Sequence, residues 1–482
     1  KNDESCWSGK GDGYTFGVSN TENKEGSRCA VIEYTAKIKE VMGDTIFDAF
    51  PKFGELIEKE IGNGIYCQIP LSLYGNEDNT YPLGNNLNIL QDVLDNKNYS
   101  TTELSVRIGN TINAYNVFQH FYPYFDEVDV DWDKELEIAL ERSFTDMTGE
   151  DHVVTLQKMT APLKDGHIWV SANSKSNFTL PIIWDWVEGK LIIVQVIDET
   201  LDLSIGDEIT MIDNMSAKDY FEEVHSRISA GTDGWLQYRG QSMSIRGQKG
   251  TEIDIVVNGE TMTLMRNKEY KRGTAEIDIQ QWTHKELDNN IYYLNISTVE
   301  MDTITALLPR LQEAEGIICD LRGYPNGNHG FISHLLSAQD TSTSWMRVPQ
   351  IIYPDLEKLT GYQKHGWELE ANAPYLGDNK IVYIISGRAI SYAESYMGFI
   401  EGYDLATIVG QPTAGTNGNV NPFKMLDNVY ISWTGMKVVK HDGSQHHAIG
   451  ILPDIYVDKT IEGIKEGRDE FLEKAIEVIL DQ

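Results

Sequence analysis

From residue 290 onward, apolar runs of strand length alternate with segments of helical spacing, and this alternation restricts the fold more than any other feature of the chain. Runs at 291–296, 316–320, 380–386 and 407–409 are separated by helical patterns at 303–315, around 331–336 and after Ser391. A strand, helix, strand repeat implies right-handed crossovers and a parallel sheet covered on both sides. Chemistry in such sheets collects in the loops that leave the carboxyl ends of strands.

Three of those loops have unusual content. The first, Asp320-Leu321-Arg322-Gly323-Tyr324-Pro325-Asn326-Gly327-Asn328, is rich in residues that let the backbone turn and aim N–H groups into a site. As a plain connection it would need Arg322 to pair with a nearby carboxylate. The second presents Ser391 where a strand breaks into a predicted helix, so that the following amide, that of Tyr392, faces an incoming carbonyl oxygen. Ser391 and Glu394 also have the spacing of a capping box, so Ser391 reads equally as a cap when taken alone. The third, 410–418, is too glycine-rich for regular structure. A serine hydroxyl needs a base, and far upstream Asp165-Gly166-His167 places a histidine in a turn before an alternating apolar run.

Before this core, residues 178–268 carry short β-rich runs at 190–196, 208–212, 252–257 and 261–266, with one helix near 217–228. Residues 105–177 hold a small helical layer leading to the Asp-Gly-His turn, with 131–133 as a helix cap. Residues 1–104 give no chemical motif and read as an N-terminal accessory region, and residues 275–482 form the α/β core.

Charge excludes one class of partner. Forty Lys plus Arg against 74 Asp plus Glu give a net charge of −34, which repels nucleic acid. No apolar run reaches the roughly 20 residues of a membrane span. Lys1 is not a natural start, so a removed targeting segment is expected. Of four cysteines, Cys319 ends an apolar run and reads as a buried thiol. An oxidising compartment would allow a Cys6–Cys29 bridge, with Cys67 left over. No Cys or His cluster has metal-ligand spacing, and no cofactor is called for.

Together these elements resemble the C-terminal processing peptidases, serine proteases with a crotonase/caseinolytic-protease-like core and, usually, an inserted PDZ domain. The likeness covers roughly 105–460. The family's Asp-Gly-His element looks like Asp165-Gly166-His167, its Asp-Leu-Arg-Gly-Asn-Pro-Gly-Gly like 320–327, and its Ser-x-Ser-Ala-x-Glu like 389–394. Its Gly-x-x-Thr-x-Gly matches 410–415, and its Gly-Val-x-Pro-Asp-Ile matches 450–455. Ile205-Gly206-Asp207-Glu208-Ile209 is similar to the PDZ segment before its helix.

The resemblance implies Ser391 as nucleophile, with Gly327 and Tyr392 as backbone oxyanion donors. Many members place a lysine base 25 residues beyond the serine; here that position is Thr416, so the lysine dyad is excluded. The other branch, typified by the tricorn core protease, implies His167 as base, oriented by an acid shortly before the terminal Pro-Asp. That place, six before Pro453, falls on His447, with Gln445 beside it and Asp442 the nearest carboxylate upstream. His447 or Gln445 is therefore expected to orient His167. Asn326 replaces the first glycine of the family's pair.

The implied activity is endoproteolysis of extended or unfolded polypeptides through an acyl-enzyme, outside the cytoplasm, whether periplasmic, secreted or lipid-anchored. The alternative is a degenerate member that binds peptides or lipids without cleaving them. A third reading uses Trp184, Trp186 and Trp433 as carbohydrate-stacking platforms.

Overall fold

The computed structural model describes residues 97–481 apart from 173–177, 271–281, 343 and 352–358, together with the short stretches 7–11, 14–22, 28–36, 40–41, 44–45, 56–62, 64–70, 74–75, 80–81 and 87–96. The chain divides into two compact units, residues 1–98 with 349–363, and residues 99–348 with 364–482. In the first, the strands Trp7–Gly11, Tyr14–Glu22 and Arg28–Ala36 form an antiparallel sheet, followed by the hairpin Leu56–Gly62 and Ile65–Pro70 and the helix Leu87–Asn96. Cys6 of the expected bridge lies outside the described residues, and Cys67 is a free thiol.

The second unit is organised by a six-stranded sheet in the order His284–Glu286, Ile291–Asn295, Gly316–Leu321, Lys380–Ile385, Thr407–Gly410, Ile455–Tyr456. The first pair is antiparallel and the rest are parallel, as the strand and helix alternation requires. Side chains alternate across it. Tyr292, Leu294, Cys319, Tyr383 and Ile385 face the helices Met301–Gln312 and Tyr392–Gly402. Ile291, Tyr293, Ile318, Val382 and Ile384 face Phe471, Ala475 and Ile479 of the C-terminal helix Glu470–Asp481. Both faces are buried, which is why these strands read as continuous apolar runs. Cys319 is a buried free thiol, as expected.

Three helices, Leu104–Phe121, Trp132–Thr145 and Gly149–Thr160, pack a second core around Phe118, Tyr122, Trp132, Leu156 and Trp433. Asp131 caps the middle helix by accepting the Lys134 N–H at 3.0 Å. Residues 182–265 build an antiparallel sheet, Ile182–Val187, Lys190–Val196, Glu208–Ile212, Glu252–Val257, Glu260–Met265, closed by the helix Ala217–His225, whose Phe221 joins Trp184 and Ile193 in the core. Trp184 and Trp433 are core residues, which removes them as stacking platforms, and Trp186, half-buried, packs edge-on to Phe221.

Three local expectations shift. The helix at 303–315 runs Met301–Gln312, that at 217–228 ends at His225, and the turn at 331–336 is a 3₁₀ helix, His329–His334. A helix with no sequence expectation, Asp233–Ile245, starts at Thr232, whose hydroxyl takes the Trp235 N–H at 3.5 Å. The other addition is a small antiparallel sheet, Trp169–Ser171 with Tyr430–Thr434 and then Val420–Lys424. Its register pairs Trp169 with Ser432, and continuing it by two residues sets His167 against Thr434.

Candidate active site

Ser391 follows the turn that leaves the central strand Lys380–Ile385 and precedes the helix Tyr392–Gly402. Its backbone is at φ 60°, ψ −113°, a conformation that costs a non-glycine residue on the order of 1–3 kcal/mol and is held only where neighbours enforce it. The neighbours here are the Thr416 carbonyl, which accepts the Ser391 N–H at 2.9 Å, and the Glu394 carboxylate at 3.3 Å. Glu394 does more than close a helix. Fully buried, it accepts from the Gly415 N–H at 2.7 Å, the Thr416 N–H at 2.9 Å and the Thr413 hydroxyl, with His446 Nε2 at 3.4 Å. Burial works to raise its pKa, but the facing His446 imidazole and these donors outweigh it and hold the carboxyl below the ordinary range. One buried charge thus folds the glycine-rich loop against the serine. Gly410 opens that loop at φ 125°, and a Cβ there would lie 2.1 Å from the Ile385 carbonyl oxygen, so the close approach requires glycine.

Thr416 joins the serine to the histidine. Its carbonyl holds Ser391, and its buried hydroxyl accepts the N–H of Gly166 at 2.8 Å, one residue before His167. The position where a lysine base would stand is a fully buried bridge between two loops 250 residues apart.

His167 is buried, and its Nδ1 lies 2.8 Å from the Thr434 hydroxyl. That hydroxyl donates its one proton to Asp165 Oδ1 at 2.7 Å, so toward the ring it accepts, which fixes the proton on Nδ1 and leaves Nε2 as the basic nitrogen. Asp165 is held in turn by the Thr434 N–H at 2.7 Å and the His167 N–H at 2.9 Å. Burial pulls the His167 pKa below the ordinary value while Asp165 and Glu394 pull it back up, so the imidazole is neutral at pH 7. Where His447 or Gln445 was expected, Thr434 stands, backed by Asp165. His447 stacks on Tyr124 with ring centroids 3.9 Å apart and its Nε2 lies 3.3 Å from the Tyr122 hydroxyl; Gln445 donates to the His447 carbonyl at 2.8 Å. Asp442 caps its own turn on Ser444.

Gly327 sits at φ 67° in a loop pinned by Asn326 Nδ2 on the Thr298 carbonyl at 3.1 Å and Asn328 Nδ2 on the Ile296 and Val299 carbonyls. Among the described residues no acceptor takes the N–H of Gly327 or of Tyr392, which begins its helix. Arg322, almost fully buried, bridges Asp320 at 2.6 Å and Asp469 at 2.8 Å, and its carbonyl accepts the Ser386 hydroxyl at 3.1 Å. The ion pair expected of a plain connection is present and ties this loop to Asp469, while the Ser386 hydroxyl ties it to the turn that carries Ser391. A strained serine, a neutral oriented imidazole and two unclaimed amides are the parts that acyl transfer needs.

The sequence model of peptidase family S41 matches residues 275–457. A carboxyl-terminal-processing protease of Synechocystis sp. is 30% identical over 159 residues, covering 32% of this chain and 34% of that protein, so the match spans about a third of the relative. Among solved structures, mature CPAF complexed with lactacystin superposes with a TM-score of 0.61 at 13% identity, covering 78% of this chain and 98% of that one. A CPAF mutant gives 0.62 at 12%, covering 78% and 96%. At such identities the superpositions speak to fold alone.

Proposed function

Because residues 275–457 make this chain a member of peptidase family S41, we propose that it is a serine endopeptidase that cleaves extended or unfolded polypeptides through an acyl-enzyme on Ser391. In this reading the core is crotonase-like and residues 178–268 are a PDZ-like module that receives an extended peptide by strand addition. His167 Nε2 takes the Ser391 proton as Oγ attacks the scissile carbonyl. The imidazolium keeps its Nδ1–H on the Thr434 hydroxyl, whose dipole is polarised by Asp165. The Gly327 and Tyr392 amides receive the oxyanion, and the leaving amine recovers the proton from Nε2. Water then repeats the sequence on the ester. Extracytoplasmic action on polypeptides belongs to the same proposal.

The observation that carries it is the unbroken path from Ser391 through Thr416 to Gly166 and on to the His167, Thr434 and Asp165 chain. A fluorophosphonate probe is expected to label the wild-type protein and not Ser391→Ala, and an unfolded protein is expected to be hydrolysed by wild type and by neither Ser391→Ala nor His167→Ala. Equal labelling of wild type and Ser391→Ala, with no turnover, would leave the non-catalytic binding protein as the correct reading.

A further inference from the structure

A cleft of about 510 Å³ opens between the helix Gly149–Thr160, the strand Trp169–Ser171 and the helices Ala217–His225 and Asp233–Ile245. It begins at Ile168, the residue after His167, and Ser229 on its wall accepts the Asp165 N–H at 2.7 Å. In a chain of net charge −34 it is lined by Arg227, Arg239, Arg246 and Arg266. Arg227 is neutralised by Glu223 at 2.8 Å. Arg266 gives its protons to the Ser244 and Ile245 carbonyls and the Thr251 hydroxyl, and among the described residues neither it nor Arg239 has a carboxylate within 4.0 Å.

Arg239 lies over the indole of Trp169, 3.2 Å from the ring centroid, with Nη1 buried and without an acceptor. Burial pushes its pKa down to about 9, still a cation at neutral pH. Within the same cleft Gln157 donates its amide to the Val170 carbonyl at 3.3 Å, and its Oε1 is buried with no donor. Buried polar groups are rarely left unpaired, and here an unmet cationic donor and an unmet neutral acceptor line one cleft. The strand Trp169–Ser171 forms the edge of its sheet, pairing only with Tyr430–Thr434 among the described residues, and Trp169 is 46% exposed. Gln157 already takes the Val170 carbonyl on this side, so the edge offers an extended chain its remaining main-chain groups.

We propose that this cleft binds an extended peptide segment bearing a carboxylate, laid along Trp169–Ser171 with the carboxylate on Arg239 and a backbone N–H on Gln157 Oε1. The proposal rests on the peptidase reading and names a recognition element for it. The test uses the full chain carrying Ser391→Ala and measures fluorescence anisotropy, so binding is read without turnover. Labelled ten-residue peptides carry one Glu or Gln, each with a free or amidated C-terminus. Carboxylate peptides are expected to bind roughly ten- to a hundred-fold more tightly than the neutral amide, as for a charge-assisted pair. Arg239→Gln is expected to erase that difference and leave the neutral peptide unchanged; Arg239→Lys, which keeps the charge but not the planar fork, is expected to lose part of it. Loss on amidation identifies the terminal carboxylate as the ligand, and loss on Glu to Gln identifies a side chain. Undiminished selectivity in Arg239→Gln or Arg239→Lys, whichever melts as the parent does, overturns the proposal. So does displacement by inorganic phosphate of neutral and acidic peptides alike. Selective binding with no hydrolysis by wild type would refute the peptidase reading and spare this one.

Discussion

Replacing Thr434 by Val removes one hydroxyl from a fully buried position while keeping the volume, and it cuts the path from His167 Nδ1 to Asp165 at its middle. In a triad whose acid touches the imidazole directly, loss of the acid costs on the order of 10⁴ in rate, which sets the upper bound. Here the carboxylate acts through a hydroxyl, so the loss is that of one charge-assisted hydrogen bond to the imidazolium, about 1.5–3 kcal/mol. At about 1.4 kcal/mol per decade this is a fall in kcat of roughly 10- to 150-fold. KM is expected to stay near wild type, because Thr434 is buried behind the ring. Thr434→Ser, which restores the hydroxyl, is expected to recover most of the rate. The pH profile separates this from general damage. In the proposed mechanism activity needs neutral His167 and rises with pH through its pKa, which burial lowers and Asp165 helps to raise. Without the acceptor on Nδ1 the imidazolium is less stable, so the acidic limb of kcat should move to lower pH in Thr434→Val while the plateau falls. Steady-state cleavage of an unfolded protein across pH, with thermal melts as control, reads both. Wild-type kcat and an unmoved acidic limb in a folded Thr434→Val protein would refute the relay.

Two further outcomes are expected. Ser391→Gly should abolish hydrolysis yet raise stability by about 1–2 kcal/mol in chemical denaturation, because glycine adopts φ 60°, ψ −113° without strain; a destabilised variant would mean that the turn is not strained. Thermal stability should hold above pH 6.5 and decline toward pH 4, since burial depresses His152, His441 and His447 to about 4 and lowers His167, so the unfolded chain binds those protons first. Asp146, raised by burial, opposes this in part, and His447→Gln should make the decline shallower.

The sheet was legible because its central strands are buried on both faces and leave unbroken apolar runs, and the site loops were legible because each leaves one of those strands. Ser391 with Glu394 was legible only in outline. The Ser-x-x-Glu spacing suggests a local cap, whereas most of the Glu394 partners lie in the loop at 413–416, a tertiary fact that spacing does not encode. Thr434 was beyond reach for the same reason. It stands 267 residues from His167 in a run, Ser432-Trp433-Thr434-Gly435, that carries no charge and no motif. Only the pairing of Trp169 with Ser432 reveals it, and register is set by packing that one strand's sequence does not contain. The helix Asp233–Ile245 was hidden by Gly234 and Gly240, although Thr232 before Asp233 is an N-cap signal that could have been read.

Geometry also explains why the hydroxyl, and not a carboxylate, faces the imidazole. Asp165 is only two residues before His167, and its Oδ1 accepts the N–H of His167 itself. That local turn directs the carboxylate along the backbone, not toward the ring, so something must carry its influence across the gap. A carboxylate at position 434 would lie against Asp165 in a site without solvent, and two such charges cannot both persist; one would take a proton and lose its value as an imidazolium partner. A threonine carries no charge. It can donate to Asp165 and accept from His167 at the same time, while its own N–H holds the second carboxylate oxygen at 2.7 Å. One buried negative charge then fixes the turn, the tautomer and the facing strand together, and in the proposed mechanism the Asp-Gly-His turn supplies the acid absent from the loop before Pro453.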